Sequence, residues 1–133
     1  MMQNIPDELQ PALQGAIPSH LATCSLSGEP NVAYITQIYY VDASHIALSR
    51  QFFNKTIRNM SENPNVQIEV THPVTGEDWR LVAEFVRSET QGELFDAMAM
   101  QLEAIATYEG MKDVYRLLAS DVCKVISVER CNR

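Results

Sequence analysis

The sequence predicts a mainly β fold with helices set into it, of the α+β class. Six mostly antiparallel strands close as a barrel or pack as a sandwich. Three observations carry this. Short runs rich in Val, Ile, Thr and Tyr recur along the chain, with turns bearing Gly or Pro between several of them. Some of these runs alternate apolar and polar side chains, as strands with one buried face do. Helical periodicity is confined to a short stretch at the start, one after the third strand and a pair before the last. A chain of 133 residues with 46% apolar content forms one domain, residues 1–133, around a single core.

Asp7 to Leu13 reads as a short helix, ended by Gly15 and Pro18. His20 to Leu26 is the first strand and Asn31 to Val41 the second, and the turn Ser27-Gly28-Glu29-Pro30 makes them a hairpin. Asp42-Ala43-Ser44 leads into Ile46 to Ser49, which reads as the central strand, with Ile46 and Leu48 on one buried face. Asn54 is the cap of the next helix, Lys55 and Thr56 fall in its first turn, and Ile57 and Met60 face inward. Asn63-Pro64 ends it, because the residue before proline is pushed out of the α region. Val66 to Thr71 and Trp79 to Arg87 are paired alternating strands across a loop with Pro73 and Gly76. Leu94, Met98, Leu102 and Ile105 line one face of a helix from Thr90 to Glu109. Gly110 breaks it, Met111 to Ala119 is a second helical segment, and Asp121 to Arg130 is the last strand.

The functional signal lies between Ile46 and Pro64. The first turn of a helix has unpaired backbone N–H groups and a partial positive charge. Ser49, Arg50, Lys55 and Thr56 set hydroxyls and cations beside it, a combination that suits a phosphate. The chain has 10 Lys and Arg against 17 Asp and Glu, yet Arg50, Lys55 and Arg58 fall within one short stretch. A solvated helix face would also carry such residues, but in an acidic protein a small anionic ligand explains the cluster better.

The net charge of −7 disfavours a nucleic-acid partner, whose phosphates it would repel. No apolar run is long enough to span a membrane, and Met1 to His20 lacks the form of a signal peptide, so the expected location is the cytoplasm. Cys24, Cys123 and Cys131 are odd in number and have no Cys-x-x-Cys spacing, which argues against a disulfide framework or a zinc site. Cys24 and Cys123 sit in apolar runs and read as small core residues. His20, His45 and His72 are dispersed, so no metal is expected.

The order of these elements resembles the flavin-binding split-barrel family that includes pyridoxamine 5′-phosphate oxidase. The resemblance spans about His20 to Glu129. It rests on the hairpin Leu21 to Val32 with its Gly28-Glu29-Pro30 turn, on Ile46 to Ser49, on Asn54-Lys55-Thr56, and on Glu62-Asn63-Pro64-Asn65-Val66. It implies a six-stranded split barrel and a homodimer with two FMN molecules at its interface. It implies that Lys55 and Thr56 hold the flavin phosphate, with Ser49 and Arg50, and that the isoalloxazine ring lies along Ala33, Tyr34, Ile35 and Thr36. Trp79 becomes a candidate for the flavin edge, against the alternative of a core or dimer-interface aromatic.

Two departures set the chain apart from the oxidase that names the family. The stretch Ala33-Tyr34-Ile35-Thr36-Gln37-Ile38 lacks the cations of that enzyme's Arg-x-x-x-Leu-Lys run, and Arg116-Leu117-Leu118-Ala119 reads as helix in place of its Arg-Leu-x-Pro motif. The implied function is a small FMN-dependent oxidoreductase of unknown substrate, the alternative being a non-catalytic flavin-binding or redox-sensing module. A relative that binds F420 or haem is the third reading, with few cations for the first and no histidine context for the second. The residues themselves also argue for a homodimer. Tyr34, Ile35, Ile38, Tyr39 and Tyr40 make one long strand apolar on both faces, whose face outside the barrel calls for a second copy, the alternative being that the helices from Thr90 to Ala119 fold back over it and leave a monomer.

Overall fold

The computed structural model describes residues 4–13, 19–51, 55–108, 110 and 116–131, and for Lys55 the backbone only. Gly15, Pro18, Asn54, Glu109 and residues 111–115, to which the sequence assigns helical, capping or helix-ending roles, lie outside the described residues. An N-terminal 3-10 helix (Asp7–Leu13) is followed by β1 (Ser19–Cys24), β2 (Pro30–Ile35), β3 (Ile38–Asp42), β4 (His45–Arg50), α1 (Lys55–Glu62), β5 (Asn65–Thr71), β6 (Asp78–Glu89), α2 (Glu93–Tyr108) and β7 (Ala119–Arg130).

All seven strands form one antiparallel sheet in the order β2-β1-β5-β6-β7-β4-β3. The expected hairpins are present: Leu21 faces Ala33 across β1 and β2, and Ile68 faces Leu81 across β5 and β6. β6, not β4, is the middle strand; β4 lies next to the edge, between β7 and β3.

The long second strand expected from Asn31 to Val41 is broken. Thr36 and Gln37 leave the ladder, so one half pairs with β1 and the other with β4. β2 and β3 are the two ends of the strand order, yet only two residues separate them. The sheet therefore curls round to bring its edges together, an open barrel whose seam is Thr36-Gln37. The Ser49 N–H donates to the Gln37 carbonyl across that seam at 3.2 Å. The Gln37 side chain is fully buried there, and its amide donates to the Met98 carbonyl at 3.0 Å and to Gln101 Oε1 at 2.7 Å, tying the seam to α2. Composition and alternation run on smoothly through this stretch and carry no mark of the change of partner.

Alternation places the core. Val66, Ile68 and Val70 of β5 and Leu81 and Ala83 of β6 point into the barrel with Leu21, Ile35, Ile46, Leu48 and Val125. Leu9 and Leu13 of the 3-10 helix join the same cluster, as does Met60 of α1. A second cluster lies outside the barrel, where Met98 and Leu102 of α2 cover Ala47 and Val122, with Tyr39 and Val41 of β3 packed against them. The outer face of β3 is thus covered by the chain's own helix. The outer face of β2 is not: Val32 is 66% and Tyr34 77% exposed.

The segment at Arg116-Leu117-Leu118 is not helical. The Leu118 N–H donates to the Arg50 carbonyl at 2.7 Å, so the chain has already joined β4 before β7 begins at Ala119.

Candidate functional site

α1 packs against β1 and β2, which brings its first turn to the place where the end of β2, the seam and the end of β4 meet. A cleft of about 100 Å³ lies there. Ala33, Tyr34, Ile35, Thr36, Ser49, Arg50 and Thr56, all singled out in the sequence, line it. Ala33 and Ile35 stand on the more buried side of β2, whereas Tyr34 points outward with its ring 4.8 Å from that of His20. Lys55 is the first residue of α1; its side chain lies outside the described atoms.

Two hydroxyls of the cleft are buried, Ser49 and Thr56. Thr56 accepts a hydrogen bond from the Asn31 amide at 2.8 Å, and Ser49 a long one from Gln51 Nε2 at 3.4 Å. Gln51 Oε1, whose residue also lines the cleft, is buried and has no hydrogen-bond partner among the described residues. A buried polar atom without a partner is unusual and marks capacity for a bound polar group.

Arg50 is engaged within the chain. Its Nε and Nη2 reach the Asp121 carboxylate at 3.1 and 2.7 Å, and Nη2 also reaches Ser88 Oγ at 2.8 Å. Ser88 in turn donates to Asp121 at 2.6 Å. Asp121 is buried and lines the cleft, so the charge of Arg50 is balanced where it stands. Arg50 therefore offers no free guanidinium here, and the first turn of α1 carries the partial positive charge of a helix start.

Trp79 is elsewhere. It is buried in the barrel core, with the Arg130 guanidinium 4.8 Å from the centre of its ring. It pairs with Arg130 on β7, nine residues from Asp121, which is roughly 30 Å along an extended strand. Trp79 is a core aromatic of this chain, not part of the cleft.

The sequence reading passed over Asn31, Gln51 and Asp121. Asp121 did carry a signal: an acid beside Ala119, Val122, Cys123 and Val125 sits in a run of core residues, and such an acid is seldom buried unless paired. Asn31 and Gln51 are ordinary polar residues next to a turn and a strand end, and only the folded arrangement brings Gln51 to the cleft and Asn31 against Thr56.

Other chemistry finds no footing among the described residues. Cys123 is fully buried, and burial, with the Asp121 charge nearby, pushes its thiol up to about 12, far from a thiolate at neutral pH. Among the described residues no cluster of His, Cys, Asp and Glu has metal-binding form. His45 is held by Asp42 and Ser44, and His72 accepts from the Val74 and Thr75 N–H groups. Among the described residues no helix is long and apolar enough to cross a membrane.

The family model described as pyridoxamine 5′-phosphate oxidase matches residues 5–127. The chain belongs to the pyridoxamine 5′-phosphate oxidase family. None of the curated proteins matches it by sequence. Among solved structures, an FMN-binding protein from Syntrophomonas wolfei subsp. wolfei is similar at 21% identity, over 96% of this chain and 88% of the other, with a TM-score of 0.77. An F420 reductase is similar at 14% identity over 94% and 98%, with a TM-score of 0.67. The haem storage protein HutZ from Vibrio cholerae is similar at 16% identity over 96% and 95%, with a TM-score of 0.62. At these identities the three structures share the fold with this chain, and the family's open barrel is the arrangement described above.

Proposed function

We propose that this member of the pyridoxamine 5′-phosphate oxidase family is a cytoplasmic FMN-binding protein that acts as a small oxidoreductase. The carrying observation is the meeting of Ser49, Thr56 and the first turn of α1 in one cleft whose wall is Ala33 to Thr36 of β2 and the seam. The phosphate of FMN is assigned to the α1 end, where backbone N–H groups, the Thr56 hydroxyl and Lys55 supply donors. The ring system is assigned to the β2 side. Gln51 Oε1, without a partner among the described residues, gives the cleft an acceptor for a ring N–H, which fits a flavin. When bound, the flavin supplies the hydride or electron transfer, and the protein binds and orients it. Arg50 and Asp121 neutralise each other at the edge of the cleft.

A cleft of about 100 Å³ is small beside the roughly 300–1,000 Å³ of ordinary ligand pockets. The open outer face of β2 lies beside it, with Tyr34 belonging to both. A second copy docked on that face would wall the cleft and cover Val32 and Tyr34, so the proposed form is a homodimer.

F420 and haem are the other readings raised by the similar structures. His20, His45 and His72 do not line the cleft, which gives haem no axial histidine there. Pyridoxamine 5′-phosphate is not the proposed substrate, since the stretch from Ala33 to Ile38 holds no cation to clamp a second phosphate. The test is to purify the protein with excess FMN and record its visible spectrum and its turnover with NADH or NADPH. Retained flavin bands with turnover support the oxidoreductase; retained flavin without turnover supports a non-catalytic flavin module; loss of all flavin on desalting contradicts the proposal.

A further inference from the structure

We infer that Asn31 is a positioning residue that sets the direction of the Thr56 hydroxyl proton and so makes the cleft select a phosphorylated flavin. The inference rests on the FMN reading above. Thr56 is only 6% exposed and lines the cleft, so water has little access to its hydroxyl. That hydroxyl accepts from the Asn31 amide at 2.8 Å. An amide N–H is a donor only, so the Thr56 oxygen must use a lone pair on this bond and keep its single proton for another acceptor. Among the described residues no acceptor takes that proton. The acceptor-poor side of the hydroxyl therefore belongs to the cleft, beside the first turn of α1, where the backbone N–H groups also want an anion.

Asn31 itself is held in place. It sits on β2 opposite Thr23, and the Thr23 hydroxyl accepts from the Asn59 amide of α1 at 3.2 Å. Two amide-to-hydroxyl bonds thus join the β1–β2 hairpin to α1, one running from strand to helix and one from helix to strand. Only the first ends at the cleft. Ser49 repeats the pattern with Gln51 at the longer distance of 3.4 Å. The ligand class this arrangement reads is a phosphate monoester, an acceptor-rich anion. A flavin that ends in a hydroxyl has no such need of a fixed donor.

The experiment is a fluorescence titration of the flavin-free full chain with FMN and with riboflavin, which lacks the phosphate. One hydrogen bond of ordinary strength sets the scale, so N31A is expected to weaken FMN by roughly fivefold and riboflavin by less than about twofold. N31D is expected to weaken FMN further, because a carboxylate accepts the Thr56 proton and turns lone pairs and charge toward the phosphate. T56A should weaken FMN, and N31A added to T56A should weaken it no more. T56S, which keeps the hydroxyl, should keep the dependence on Asn31. The inference is overturned if N31A and N31D bind FMN as the parent does, or if riboflavin weakens in step with FMN, which is the mark of a purely structural role. A parent protein that binds neither flavin overturns the FMN reading itself and the inference with it. A parent that prefers FMN while N31A and N31D change nothing overturns the inference alone.

Discussion

Arg50 and Asp121 close a two-pronged ion pair between β4 and β7, Nη2 to Oδ1 at 2.7 Å and Nε to Oδ2 at 3.1 Å. Leu48 stands directly opposite Asp121, and Arg50 is two residues further along, so the pair runs diagonally across one face of the sheet. The Arg50 side chain is 18% exposed and that of Asp121 4%. Removing one member strands the other in a poorly solvated place. Asp121→Ala is therefore expected to lower stability by about 3 kcal/mol, read as a fall in the urea midpoint. Arg50→Ala should cost a similar amount, and the double variant clearly less than the two together. Strict additivity would show that the pair does not act as a unit.

The open face of β2 makes a prediction about assembly. The chain should run at twice its mass of 15.0 kDa in light scattering at micromolar concentration. Tyr34→Glu puts a charge at the centre of the proposed interface, where burying it unpaired is costly, and should give single chains that still fold. A parent protein that is already a single chain with FMN bound would contradict the shared-face arrangement.

Cys123 gives a pH prediction. Its ordinary value is 9.0 and burial lifts it to about 12, so the folded state holds a proton that the unfolded state releases. The contribution is fully present below pH 9 and is lost as pH rises from there toward 12, by on the order of 1 kcal/mol per pH unit. Stability of the parent should fall across that window, and Cys123→Ala should fall less steeply. In the native protein at pH 8, a thiol reagent should leave Cys123 unmodified. Equal slopes in the two proteins, or rapid modification of Cys123, would contradict its burial.

Much of this was legible in the chain because periodicity reports faces. The alternation in Val66 to Val70 and in Leu81 to Ala83 placed β5 and β6 and their pairing, and Leu94, Met98, Leu102 and Ile105 placed α2. Ser49, Arg50 and Thr56, singled out for their closeness in the chain, line one cleft. What was not legible depends on partners distant in sequence. The break at Thr36-Gln37 exists because β2 and β3 pair with different strands, which no local pattern encodes. The engagement of Arg50 spans 71 residues to Asp121, so its cation looked free in the sequence. Trp79 was a candidate for the flavin edge against the alternative of a core or interface aromatic, and only the register against Arg130 shows it at the far end of the sheet. Leu117 and Leu118 looked helical because two adjacent leucines suit a helix face as well as a strand entry.

The central claim is that the cleft at the start of α1 holds FMN by its phosphate. Calorimetric titration of FMN into the flavin-free protein tests it most directly. The account predicts one FMN per chain with micromolar or tighter affinity, and riboflavin weaker by about tenfold or more, since charge-assisted hydrogen bonds to a phosphate contribute roughly 1.5–3 kcal/mol each. The Lys55→Ala and Thr56→Ala variants should each close most of that gap between the two flavins. Equal affinity for FMN and riboflavin, or no saturable binding of FMN, would contradict it.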